Sequence, residues 1–146
     1  MPELGSQLAP RWELYSHDAD VGIRGFGADL GQAFEALGLA LTSAICDLTR
    51  VRPVLWVEVH CAAQDAESLL YEWINAIVYE MSTRQMLFSR YRVTLADHTL
   101  TGTLWGEPLD TARHRPAVEV KGGTYTDLRV QRAESGIWTA QCVIDV

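Results

Sequence analysis

Three places in this 146-residue chain set together side chains that could do chemistry. In residues 16–27, SHDADVGIRGFG, His17, Asp18 and Asp20 fall within four positions of one another, directly before Val21, Ile23 and Phe26, which read as a buried strand. At the far end Asp145 lies beside the α-carboxylate of Val146, so two anionic groups sit on adjacent residues. Between them stands Lys121, the single lysine in a chain with eleven arginines. Lys is a compact ammonium with three donors, whereas Arg is a planar, permanently charged fork, so the one position that keeps Lys is a candidate for a role Arg does not fill. Each place also has a plainer account. HDAD reads as a polar turn, since Asp bonds nearby backbone N–H groups in turns. The terminus reads as a frayed tail. Gly122 and Gly123 after the lysine fit a close backbone approach or a simple bend.

These residues need elements to hold them. RWELYS and VGIRGFG read as two strands separated by HDAD. From Asp29, an N-cap, Ala33, Phe34, Leu37, Ala40, Leu41, Ala44 and Ile45 follow at helical spacing, weakened slightly by Gly38. PVLWVEVHC reads as a strand with Val57, Val59 and Cys61 on one face. Asp65 caps a second helix whose Leu69, Leu70, Trp73, Ile74, Ile77, Val78 and Met81 form a broad apolar stripe. The remainder reads as strands: LFSRYRVTLA and TLTGTLWGE around Asp97-His98, then PAVEVKGG, TYTDLRVQ and IWTAQCVIDV, with Ser135-Gly136 as a turn. The last of these keeps strand character to its final residue, which ties the terminus into a sheet. The predicted class is α+β, two amphipathic helices packed on a mostly antiparallel β-sheet, with residues 1–10 a loose N-terminal segment and 11–146 one domain.

Composition bounds the function. A net charge of −7 and a pI near 5.0 argue against strong direct nucleic-acid binding, which needs a basic face. Cys46, Cys61 and Cys142 are odd in number, far apart and set among apolar neighbours, so free thiols are expected rather than a disulfide framework or CxxC metal spacing. MPELGSQLAP has no basic n-region or apolar h-region, and no apolar run approaches the ~20 residues that span a bilayer. The expectation is a cytoplasmic protein without a membrane partner.

Five ordered blocks carry a resemblance. H-x-A-D-V-G-I from His17, D-x-E-S-L-L-Y-E-W-I-N from Asp65, L-F-S-R-Y-x-V followed by L-x-G-E, H-x(5)-V-K-G-G-T-Y from His114, and W-x-A-x-x-V-I-D-V at the end resemble the archease family over about residues 11 to 146. The resemblance implies an archease-like fold and an accessory protein, not an enzyme. Its partner would be an RtcB-type RNA ligase, which joins tRNA exon ends carrying a 2′,3′-cyclic phosphate or 3′-phosphate. The accessory protein promotes guanylylation and multiple turnover of that ligase.

It further implies a divalent metal ion, usually calcium, held by Asp20, Asp145 and Val146. The chemistry agrees, because a hard cation takes carboxylate and carbonyl oxygens, and clustered anions without an ion repel. His17, a poor calcium ligand, is then a turn-stabilising or partner-facing group. Lys121 matches a functionally important lysine of the family, placed to meet a nucleotide phosphate or a partner carboxylate. His114 matches a family histidine that could line the same surface, although a loop His between Arg113 and Arg115 is usually just exposed, and Tyr125 is a possible auxiliary. HDAD replaces the more usual HTAD, so Asp18 either joins the ion or caps the turn. TYTD replaces TYHx, which leaves the role of that imidazole lost or taken by Thr126 or Asp127. His60 and His98 read as ordinary strand and turn residues, Trp73 and Trp138 as core aromatics. Two other functions compete: a small metal-dependent hydrolase, and a chaperone-like adaptor for an RNA-modifying methyltransferase. No HExxH, GxSxG or Cys/His nucleophile pattern supports the first.

Overall fold

The computed structural model describes residues 10–146, so all but Pro10 of the N-terminal segment lies outside the described residues. Strand β1 (Arg11–His17) turns through Asp18 and Ala19 into β2 (Asp20–Gly27). Helix α1 (Leu30–Ile45) follows, then a 3-10 turn (Leu48–Arg50), β3 (Leu55–Ala62) and helix α2 (Ala66–Arg84). The second half runs through β4 (Met86–Ala96), β5 (Thr99–Pro108), the short helix α3 (Thr111–His114), β6 (Gly122–Gly123), β7 (Arg129–Arg132) and β8 (Trp138–Asp145). The class is α+β, as expected, with every strand pair antiparallel.

Both long helices begin where a side chain can satisfy the orphan amides of a first turn. The Gln32 N–H donates to Asp29 Oδ1 and the Ser68 N–H to Asp65 Oδ1, each at 2.8 Å. The stripe of α2 is buried at all seven expected positions. Trp73 is fully buried, its indole N–H donating to the Phe34 carbonyl at 3.0 Å and its ring standing edge-on to Tyr91. Helix α1 lies so close to β2 that a Cβ at Gly25 would fall 2.4 Å from the Ala33 oxygen and the Leu37 nitrogen. That closeness seats Phe34, Leu37 and Leu41 in the core beneath the strand.

The strands are divided between two sheets. One holds β1-β2-β8-β6 in that order with β7 also pairing β8, and the other holds β3-β5-β4. PAVEVKGG pairs only through Gly122 and Gly123, and TYTDLRVQ only from Arg129 onward. The residues before Gly122 pass over the ends of α1 and α2, where the Ala117 N–H donates to the Ile45 carbonyl and Val120 is buried. Alternating valines there fit a covering strap as well as a strand, and among the described residues no strand pairs with it. Among the described residues no helix is long and apolar enough to cross a membrane. The three cysteines are free.

Candidate functional site

β1, β2 and β8 are antiparallel neighbours in the larger sheet, and their register lines up the chemistry-bearing residues. His17 pairs with Asp20 across the β1–β2 turn. The β2–β8 ladder runs to Val21 opposite Ile144, so one step further Asp20 faces Asp145. Asp145 in turn pairs with Gly122, and the Lys121 N–H donates to the Asp145 carbonyl at 2.7 Å. Opposed residues of an antiparallel ladder project to the same face. Since Ile23, Cys142 and Ile144 point into the core, His17, Asp20 and Asp145 leave the opposite face. Asp20, Lys121 and Asp145 are exposed. His17, Asp20 and Asp145 therefore form one row across three strands at one end of the sheet, and Lys121, just before β6, is tied to that end through its main chain.

The row is anchored rather than frayed. Val146 packs against the core, and alternation along β8 gives the Asp145 carboxylate to the surface. On the lysine side, α2 holds the chain: the Gly123 N–H donates to Asn75 Oδ1 at 3.1 Å, and a Cβ at Gly122 would lie 2.8 Å from that same oxygen. One turn earlier on α2, Tyr71 stacks on the exposed Tyr125 ring, 4.4 Å between centroids and 10° from parallel. Sequence chemistry marks neither Asn75 nor Tyr71. Both stand in the Y-E-W-I-N block, four apart on one helix face, and that spacing is the available signal.

Asp18 occupies the turn itself with φ 54°, a left-handed conformation Asp tolerates. Its side chain is 95% exposed and lies 3.9 Å from the His17 Nδ1, beyond hydrogen-bond length. Asp127, one candidate heir to the missing imidazole of TYHx, accepts from the Tyr15 hydroxyl at 2.7 Å and from Arg129 at 3.2 Å. Burial, and then the bond to Asp127, push the Tyr15 phenol well above its ordinary range. This part of the sheet face is a buttress: Tyr15 covers Gly22, and the Arg24 guanidinium lies over the Tyr15 ring while bonding Gln141 and Glu13.

His114 does not face outward with Lys121. Its side chain is fully buried and its Nε2 lies 2.9 Å from Glu107 Oε2. The Asp110 N–H donates to His114 Nδ1 at 2.9 Å, so Nε2 carries the proton and donates to the carboxylate. Glu107 also accepts from Arg113 at 2.6 Å and from the Arg52 N–H at 2.7 Å. Burial raises the Glu107 pKa, and these three donors outweigh it, holding the carboxyl at about 2. Helix α3 ends at His114 and turns the ring inward toward β5, which the flanking arginines conceal in the sequence. Two of the five blocks, L-x-G-E and H-x(5)-V-K-G-G-T-Y, are thus joined by a structural clamp. His60 and His98 are exposed residues of a strand and a hairpin turn. Trp138 is only partly buried, with Arg132 near its ring.

The donors of the row suit a hard cation. The carboxylates of Asp20 and Asp145 and the main-chain terminus at Val146 are all oxygen, while Lys121 occupies one lone pair of the Asp145 carbonyl. Among the described residues no group of three or more His, Cys, Asp or Glu side chains is gathered for a metal.

Residues 12–146 match the model of the Archease protein family (MTH1598/TM1083). The chain is 35% identical over 140 residues to Protein archease of Pyrococcus furiosus, covering 93% of this chain and 99% of that one. It is 36% identical, with the same coverage, to Protein archease of Thermococcus gammatolerans. The solution structure of protein 1598 of Methanobacterium thermoautotrophicum superposes with a TM-score of 0.81 at 29% identity, over 92% of this chain and 98% of that one. A crystal structure of an archease described as a possible chaperone, from Thermotoga maritima, gives 0.61 at 16% identity, over 98% and 100% of the chains, and shows the fold alone.

Proposed function

The chain belongs to the archease family, and from that premise we propose that it is a metal-binding accessory protein of an RtcB-type RNA ligase. The observation that supports this reading is the row itself: His17, Asp20 and Asp145 come from opposite ends of the chain and meet on adjoining strands, with Lys121 bonded through its main chain to Asp145. Nothing in the packing of the core requires charged residues there. Asp20, Asp145 and the terminal oxygens of Val146 would hold a divalent cation, calcium by its preference for such donors. When bound, the ion supplies positive charge and open oxygen-binding positions at the protein surface. The exposed Lys121, whose main chain joins Asp145, would bring an ammonium to the same end of the sheet, which then presents cationic groups to a phosphate or a carboxylate of the partner. His17 closes the β1–β2 turn next to Asp20 and offers a donor on the same face.

The test is multiple-turnover joining of RNA ends by limiting ligase, with this protein alone, the ligase alone, and both. Joining is expected only where ligase is present, with turnover beyond the first cycle only where both are. Asp20→Asn and Asp145→Asn should each abolish the stimulation while leaving the melting temperature within a few degrees of the parent. Full stimulation by both variants would remove the row from the function. Hydrolysis of phosphate esters by the purified protein alone would favour an enzyme.

A further inference from the structure

Among the described residues strand β3 is an edge of the smaller sheet, with no strand on its outer side and few of the devices by which natural edges avoid pairing. The opposite edge, β4, is guarded: the Val93 N–H donates to the Glu35 carboxylate of α1 at 2.8 Å. By contrast, among the described residues β3 pairs only with β5, in a register that runs from Leu55–Gly106 to Ala62–Thr99 without a bulge. It contains no Pro, Lys or Arg. Three consecutive large apolar residues at its start, Val54, Leu55 and Trp56, are 62%, 49% and 54% exposed.

The alternation of the ladder fixes which groups face outward. The Ala63 N–H donates to the His98 carbonyl, so residues 55, 57, 59, 61 and 63 turn their backbone toward β5, and Trp56, Glu58, His60 and Ala62 turn theirs to the open edge. Those four side chains share the solvent face of the sheet. Glu58 and His60 lie 3.8 Å apart there, with the Thr101 hydroxyl 3.4 Å from the other ring nitrogen of His60.

We infer that this edge is where two copies of the chain pair, β3 against β3 about a two-fold axis at Val59. The charge pattern selects the occupant and the register. With the axis at Val59, Glu58 faces His60 of the second copy twice over, and the exposed Trp56 lies across from the small Ala62. With the axis at Glu58 instead, two carboxylates would oppose each other, which is unfavourable. In the Val59 register every outward N–H and C=O of residues 56, 58, 60 and 62 finds a partner, making one six-stranded sheet. Such a contact is isologous and closes, so it yields a dimer and not a fibre. The row of His17, Asp20, Asp145 and Lys121 lies in the other sheet and stays open in both copies.

The test reads mass by sedimentation equilibrium across a wide concentration range and amide exchange by NMR at residues 56, 58, 60 and 62. The parent should approach twice 16.3 kDa as concentration rises, with those four amides slowing in step. Glu58→Lys, which sets an ammonium against His60, should weaken the dimer at least tenfold. Adding His60→Glu should restore it, because an ammonium at position 58 then faces a carboxylate at position 60. Both positions are exposed, so the fold is not at issue, and neither belongs to the proposed metal row. A parent that stays monomeric at all concentrations overturns the inference. So does a dimer indifferent to Glu58→Lys, one that the double variant fails to restore, or protection of these amides only when another protein is added, which would instead assign the edge to a partner's strand.

Discussion

The Lys121 N–H donates to the Asp145 carbonyl at 2.7 Å, so the one lysine of the chain and the last acidic residue are held together by the main chain itself. Side-chain identity at position 121 does not enter that bond. Substitution there removes chemistry and leaves position intact. Lys121→Ala should therefore abolish ligase stimulation with little change in stability, within about 0.5 kcal/mol as for most exposed positions. Lys121→Arg should fail much as Ala does, since a planar fork does not replace a compact ammonium beside two glycines. Multiple-turnover joining, with thermal melting alongside, checks this. Full stimulation by Lys121→Arg would show that charge alone suffices.

Val146 packs on the core, which holds its main-chain oxygens next to Asp145. If those oxygens are ligands, a neutral tag appended after Val146 should weaken calcium binding about tenfold or more, while the same tag before Met1 changes nothing. Titration calorimetry on the two tagged proteins decides it. Equal affinities would exclude the terminus.

The Glu107 clamp makes a prediction about acid stability. Its carboxyl is held at about 2 against an ordinary 4.5, so the folded state favours the ionised form. That contribution is complete above about pH 4.5 and is lost as pH falls toward 2. Glu107→Gln should cost about 2 to 3 kcal/mol near neutrality, because the buried His114 and the half-buried Arg113 lose a charged acceptor. The variant's stability should also fall less steeply than the parent's between those two pH values. Denaturant unfolding at a series of pH values measures both. Ligase stimulation per folded molecule should be unchanged, in keeping with a structural role for His114.

Asn75 is predicted to act by holding Gly123. Asn75→Ala leaves the Gly123 N–H without its acceptor, which should cost about 1 kcal/mol and reduce stimulation by letting the strand before it shift. Asn75→Asp keeps an oxygen acceptor and should recover the stability. Amide exchange at Gly123 reads the bond directly: fast in Ala, slow in Asp. Slow exchange in Asn75→Ala would mean the bond is dispensable.

Local physics makes much of this protein legible in its sequence. Asp29 and Asp65 announce two helices because an N-cap needs only its own next three residues, and the α2 stripe from Leu69 to Met81 needs only helical periodicity. His17, Asp18 and Asp20 are visible as a turn for the same reason. What joins distant segments is not visible. No periodicity tells that β8 inserts beside β2 and brings Asp145 to Asp20, or that α3 turns His114 inward onto Glu107 rather than outward beside Lys121. Nor does valine alternation reveal that the first five residues of PAVEVKGG are a strap, paired with no strand among the described residues, and that only its end joins β8. Hydrogen-bond partners at long range are chosen by the packing of α1 and α2 on two sheets, and the sequence of one segment carries no record of which other segment will complete it. Composition and local pattern determined the elements and most of the chemistry they carry; the tertiary pairing of strands decided which of those residues share a surface and which are buried.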